Sequence, residues 1–274
     1  MDRGSRINPG RIHRSIFMRP PDMVRSVVVG LAIAAITAAG FVAGVTQAAH
    51  EGNDYPYPDH VMLRRSVITS QLLQAPNPKI LVIGDSIVEG LLFSPVDGIV
   101  VVNGGIGTIK TSYFASNMKV FLDARPMVVV VAVGINDCTW FWKDEINSDK
   151  WRAQYLQIVD EILKSHAIPV LTTILPVERN KPFGDKTFDS QLIKKRNAWI
   201  RTLARDRRIP LIDTWVSFAG PNDYMPQGAT IDGVHLTQSS YVKMRAVLNG
   251  ICVSMTNAGL QCPANKSLRN ISHI

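Results

Sequence analysis

The chain has 274 residues, of which 46% are hydrophobic and 19% charged, with a formal net charge of +8. That length fits one domain with an additional segment, and the apolar fraction excludes wholesale disorder and collagen-like or low-complexity architectures. Three cysteines are too few for a disulfide scaffold or a four-thiolate zinc site.

A basic balance invites a nucleic-acid reading until the charge is located. Six arginines (Arg3, Arg6, Arg11, Arg14, Arg19 and Arg25) stand against Asp2 and Asp22 in residues 1–25, so a short basic tail holds half of the excess. From Ser26 to Ala49 no residue is charged, and a run of roughly 20 apolar residues can span a bilayer as a helix. Arginines before it and Glu51 and Asp54 after it follow the positive-inside pattern. A buried core helix would leave that flanking pattern accidental. The reading is an export segment over 26–49, either a signal peptide cleaved near Thr46-Gln47-Ala48 or a retained transmembrane anchor. The expected location is exported, periplasmic or extracytoplasmic, with membrane contact through this segment if it stays uncleaved. The arginines then read as topology signals, and no nucleic-acid partner is expected.

Residues 50–78, with Pro56, Pro58, Pro76 and Pro78, read as a linker carrying a short helix over Val61–Leu73. Short apolar, β-branched runs then alternate with helical stretches. Strands are predicted at Lys79–Ile83, Ile99–Val102, Met127–Val133, Ile168–Leu175 and Ile209–Ile212. Helices are predicted at Lys110–Leu122, Ser148–Ser165, Phe188–Asp206 and Gln238–Val253. In the second of these, Trp151, Tyr155, Ile158, Val159, Ile162 and Leu163 recur at helical spacing. The alternation predicts an α/β domain over 79–255 with a parallel sheet, followed by a tail over 256–274. In such sheets the ligand site lies in the loops at the carboxyl ends of the strands.

Ser86, in ILVIGDSIVEG, sits where the first strand gives way to a helix. Free backbone N–H groups and the helix dipole there favour a bound oxyanion, although a Ser after Gly-Asp also suits a helix cap. Val88 stands where the nucleophile elbow G-x-S-x-G needs its second glycine, which excludes that motif. The late loop IDGVHLT places Asp232 three residues before His235. Asp232 at that spacing can fix the His235 tautomer and leave Nε2 to take a serine proton, or it can cap the helix that follows. Asn136, in GIND at the end of the third strand, can present an amide to a developing oxyanion or serve as a turn residue.

Together GDS after the first strand, a glycine-bearing loop after the second, GxND after the third and DxxH near the end resemble the GDSL-type (SGNH) hydrolase family. The resemblance covers Ile80 to about Leu236. It implies a flavodoxin-like three-layer α/β/α sandwich with a five-stranded parallel sheet, and ester or thioester hydrolysis without metal or cofactor. By resemblance Ser86 is the nucleophile, His235 the general base and Asp232 its orienter. Asn136, a backbone N–H of the second block and that of Ser86 would form the oxyanion hole. The family's second block usually reads N-x-G-x-x-G, whereas this chain has Asn103-Gly104-Gly105-Ile106-Gly107-Thr108. Gly107 is favoured slightly as the donor, with Thr108 as the alternative if its backbone permits.

The expected activity is an exported serine hydrolase acting on a small-molecule, glycan or lipid ester. Its rivals are an extracytoplasmic O-acyltransferase for cell-envelope sugars and an inactive glycan-binding module. GGIGTIKT over Gly104–Thr111 nearly spells a P-loop, but Ile109 replaces the second glycine. Cys252 and Cys262 are candidates for a disulfide, and Cys138 reads as a packing residue. Trp140, Phe141 and Trp142 are candidates for a substrate wall, and Pro182–Asp189 for part of the cleft rim. His13, His50, His60, His166 and His273 have no acidic partner at useful spacing and are assigned no role.

Overall fold

The structure, a computed structural model, describes residues 57–140 and 148–262. The basic tail, the charge-free segment over 26–49, Phe141 and Trp142 lie outside the described residues. Among the described residues no helix is long and apolar enough to cross a membrane.

The first element is α1, Pro58–Gln74, with proline in its first turn, where a missing N–H breaks no helical bond. Val61, Ile68 and Leu72 bury one face of it, and it packs on the second strand and the helix that follows that strand. The stretch expected as a linker therefore supplies core. Ala75, extended before Pro76, ends the helix. Lys79 Nζ donates to the Leu72 carbonyl at 2.6 Å, satisfying one of its open C-terminal groups.

The strands β1 (Lys79–Gly84), β2 (Val100–Gly105), β3 (Val128–Ala132), β4 (Ile168–Thr172) and β5 (Leu211–Ile212) form one sheet of order β2-β1-β3-β4-β5. Every pairing is parallel. All six residues of β1 are buried, as a strand flanked by two neighbours and covered by helices requires. Gly84 pairs with both Gly105 and Ala132, so β1, β2 and β3 end at one level. Their carboxyl ends release the three loops that carry Ser86, Gly107 and Asn136.

The intervening helices are α2 (Ser86–Glu89), α3 (Thr111–Leu122), α4 (Ser148–Lys164), α5 (Ser190–Arg207), α6 (Thr214–Phe218), α7 (Gln238–Leu248) and α8 (Ile251–Asn257). Trp151 and Tyr155 of α4 meet Trp199 of α5 with ring centroids 5.3 and 5.6 Å apart, joining the two helices. Two expected elements differ. The fourth strand stops at Thr172 instead of Leu175, because the Asn197 side chain takes both backbone groups of Ile174 at 2.7 and 2.8 Å. The last helix divides at Asn249-Gly250, residues of low helix propensity. Cys252 and Cys262 are joined, with Cα atoms 5.0 Å apart, while Cys138 is a buried free thiol.

Candidate active site

The strand-to-helix step after β1 positions Ser86. Asp85 is the N-cap of α2, its Oδ1 accepting from the Ile87 N–H at 3.0 Å. Ser86 is the first helical residue, so its own N–H has no intrahelical acceptor. Capping therefore falls to Asp85, leaving the Ser86 hydroxyl for another partner. That partner is His235 Nε2, 2.9 Å from Ser86 Oγ across 149 positions of sequence.

His235 Nδ1 lies 2.6 Å from Asp232 Oδ2. The other oxygen, Oδ1, accepts from the Val234 and His235 N–H groups at 3.1 and 2.9 Å. Asp232 thus folds its own loop around the imidazole and does not cap α7, whose N-cap is Thr237. Burial acts to raise the Asp232 carboxyl, but the His235 ring and the two backbone donors outweigh it and hold the group below the usual carboxylate range. The carboxylate consequently stays ionised opposite His235.

The loop between Gly228 and His235 is tied from below by Glu178, just past β4. Glu178 Oε1 accepts the Gly228 N–H at 2.8 Å, and Oε2 accepts the Thr230 N–H and hydroxyl at 2.8 and 2.7 Å. Phe183 donates its N–H to the Asp232 carbonyl and Glu178 to that of Gly233. Gly233 has φ +118°, and a Cβ there would stand 2.4 Å from the Gly184 nitrogen. Only glycine fits that crossing. The segment expected as rim, Pro182–Asp189, is thus partly a support for the loop that carries Asp232 and His235.

Asn136 opens a short 3-10 turn, Asn136–Cys138, after β3. Its Nδ2 donates to the Ile109 carbonyl at 2.8 Å, which orients the amide and leaves its second hydrogen for another acceptor. Gly107 lies beside Ser86: a Cβ built on it would be 3.8 Å from Ser86 Cβ. Its N–H, however, goes to Glu89 Oε2 at 2.5 Å. The Gly107 N–H, expected with slight preference over Thr108 as the oxyanion donor, thus points to a carboxylate. Thr108 adopts φ +68°, in the left-handed region.

Sequence reasoning missed three groups. His60 Nε2 lies 3.1 Å from Glu89 Oε2, a partner 29 residues away that no local spacing reveals. Glu178 gave no signal either, because its role rests on contacts 50 or more positions distant. Asn103 Nδ2 donates to the Val88 and Leu91 carbonyls at 2.8 Å each, closing the end of α2. In the near-P-loop, Thr111 Oγ1 is committed to Asp137 and Trp151 at 2.9 and 3.0 Å. Trp140 is exposed, with its N–H given to the Thr187 carbonyl.

Residues 82–243 match the GDSL-like Lipase/Acylhydrolase family. The chain belongs to this family. No curated protein sequence matches it. Among solved structures it is similar to a GDSL-like lipase from Bacteroides thetaiotaomicron, at 20% identity and TM-score 0.55, covering 67% of this chain and 94% of that one. It is also similar to a variant of Axe2, an acetyl xylan esterase from Geobacillus stearothermophilus, at 18% identity and TM-score 0.53, covering 69% and 98%. A third similar structure is the acetyl xylan esterase AlAXEase, at 22% identity and TM-score 0.52, covering 62% and 97%. At these identities the likeness establishes the fold, an SGNH-type α/β fold with an all-parallel sheet and flanking helices.

Proposed function

We propose that this GDSL-family hydrolase cleaves carboxylic esters through an acyl-enzyme on Ser86. The observation that carries the reading is the continuous chain from Ser86 Oγ to His235 Nε2 at 2.9 Å and from His235 Nδ1 to Asp232 Oδ2 at 2.6 Å. In this mechanism His235 takes the hydroxyl proton as Ser86 Oγ bonds to the ester carbonyl carbon. The imidazolium then gives the proton to the departing alcohol as the tetrahedral intermediate collapses. Water, deprotonated by His235, releases the acid and restores Ser86. Asp232 stays ionised and stabilises the imidazolium without itself taking the proton.

The oxyanion hole in this reading consists of the Ser86 N–H, the Thr108 N–H and the second hydrogen of Asn136 Nδ2. Two similar structures are acetyl xylan esterases, which supports acetyl esters of carbohydrates as the first substrates to offer. A chromogenic panel of increasing acyl length, run on the chain and on Ser86→Ala, tests the proposal. We expect the variant to lose at least ~10³-fold in kcat with its melting temperature preserved. Equal turnover by both proteins would end the serine-hydrolase reading.

The proposal extends to location. The charge-free run over 26–49 between arginines and acidic residues supports export, as does the Cys252–Cys262 pair, since disulfides persist in oxidising compartments. Recovery of the intact chain, residues 26–49 included, from the soluble cytoplasm would overturn it.

A further inference from the structure

Thr108 is a non-glycine residue in the left-handed region, at φ +68°, a conformation that persists where the surroundings over-determine it. Its flanks show how. On the far side, the Ile109 carbonyl accepts from Asn136 Nδ2 at 2.8 Å. On the near side, Ile106 donates its N–H to the Gly84 carbonyl at 2.9 Å, and Gly107 donates to Glu89 Oε2. Gly107 has no side chain to restrict it, so the Gly107–Thr108 peptide is placed by the anchors on either side of it: the Ile106–Gly107 peptide, whose N–H Glu89 holds, and the Ile109 carbonyl, held by Asn136.

Glu89 is itself held from outside the motif. His60 Nε2 reaches its Oε2 at 3.1 Å, and Arg64 Nε its Oε1 at 3.4 Å. Arg64 also donates to the Gly105 carbonyl at 2.8 Å through Nη2. His60 and Arg64 stand one turn apart on α1, so this helix grips the end of β2 and the loop after it. One grip is direct on Gly105. The other reaches Gly107 through Glu89.

We propose that Glu89 is a positioning residue for the oxyanion hole, fixing Gly107 so that the next N–H, that of Thr108, is presented to the developing oxyanion, with His60 and Arg64 of α1 as its anchors. The proposal rests on the serine-hydrolase reading above. It gives α1 a function beyond burial, because the brace cannot form without it.

The test compares the full chain with Glu89→Ala, Glu89→Gln, His60→Ala and Ser86→Ala on a chromogenic acetate ester. It measures kcat, KM, melting temperature and inhibition by phenylboronic acid, whose serine adduct carries an oxyanion-like oxygen. For Glu89→Ala we expect kcat to fall about 10–100-fold with KM within about threefold, and the boronate inhibition constant to rise in step. Glu89→Gln keeps an oxygen acceptor for Gly107 and should recover to within about fivefold of the parent. His60→Ala removes one anchor and should lower kcat a few-fold, again with a matching loss of boronate affinity. A Glu89→Ala enzyme with unchanged kcat and boronate affinity overturns the proposal. So does a loss confined to melting temperature, the mark of a merely structural carboxylate. If Glu89→Ala does not fold, unchanged values for His60→Ala overturn it. Ser86→Ala separates the two readings: full activity there defeats the hydrolase mechanism, whereas an inactive Ser86→Ala beside an unimpaired Glu89→Ala defeats only the brace.

Discussion

The two sides of the Ser86–His235 pair are built differently. Ser86 is placed by regular structure: a fully buried central strand, a helix start and an N-cap at Asp85. His235 and Asp232 belong to no helix or strand. Their loop is placed by a buried carboxylate, Glu178, and by backbone bonds from the segment after β4. A sheet edge is positioned by the whole core, so local change there is resisted by many contacts at once. A hydrogen-bonded loop is positioned by a few polar groups, and each carries a large share of its geometry. The His235 side should therefore be the fragile one.

Gly233→Ala should break the His235 side most severely. The residue has φ +118°, and a Cβ would stand 2.4 Å from the Gly184 nitrogen, so backbone must move against backbone. We expect about a 10²-fold loss of kcat from displacement of Asp232 and His235, with a destabilisation of about 2–3 kcal/mol. Gly228→Ala is the control. That residue has φ +83° but nothing within 4 Å, so it should cost only about 1 kcal/mol and leave kcat nearly intact. Equal kinetics and melting curves for the two variants would remove the crowding argument.

Glu178→Gln sharpens the comparison by changing charge without volume. One oxygen that accepts a backbone N–H becomes an NH2 donor facing a donor, costing about 1–3 kcal/mol. Burial acts to raise the Glu178 carboxyl, but Thr230, Gly228 and Lys181 outweigh it and hold it below its ordinary value of 4.5. A lowered carboxylate contributes stability that is present above the unfolded value and lost as pH falls through the folded one. The parent's advantage over Glu178→Gln, followed by thermal melting, should be full above about pH 6 and shrink below about pH 4. A constant difference across that range would show that the carboxylate's charge plays no part.

The same contrast explains how much was legible in the sequence. Strand runs ending in glycine give β1 and its neighbours, and a loop position after β1 exposes Ser86, because burial in a parallel sheet demands continuous apolar residues. Asp232 and His235 were readable because a three-residue spacing is local. The supports were not. Glu178 and Thr230 stand 52 positions apart, and His60 and Glu89 stand 29 apart, so only the closed fold makes them neighbours. A short helix over Val61–Leu73 was legible but its place in the core was not, because Met62, Leu63 and Leu73 are exposed apolar residues that blur its buried stripe of Val61, Ile68 and Leu72. The Glu89 contact to Gly107 was hidden for a related reason: glycine content marks where a loop bends, but the acceptor that takes its N–H comes from elsewhere in the chain.

A last effect, on stability alone, tests the claim that the Ser86 side is held by its core. Asp85 is buried beside Ser86, and that burial pushes its carboxyl up to about 7, with Asp137 adding to the rise and Ile87 and His235 opposing it. A raised folded-state value means the folded protein holds this proton more tightly than the unfolded chain does. The contribution is full below the ordinary value of 3.8 and is lost as pH rises towards about 7. Asp85→Asn keeps an N-cap of equal quality and removes the titration. Relative to the variant, the parent should therefore lose stability as pH rises from about 4 to about 7, read as diverging melting temperatures. Parallel melting curves across that window would mean that the Asp85 carboxyl reaches solvent, and that the start of α2 is no better enclosed than the loop that carries His235.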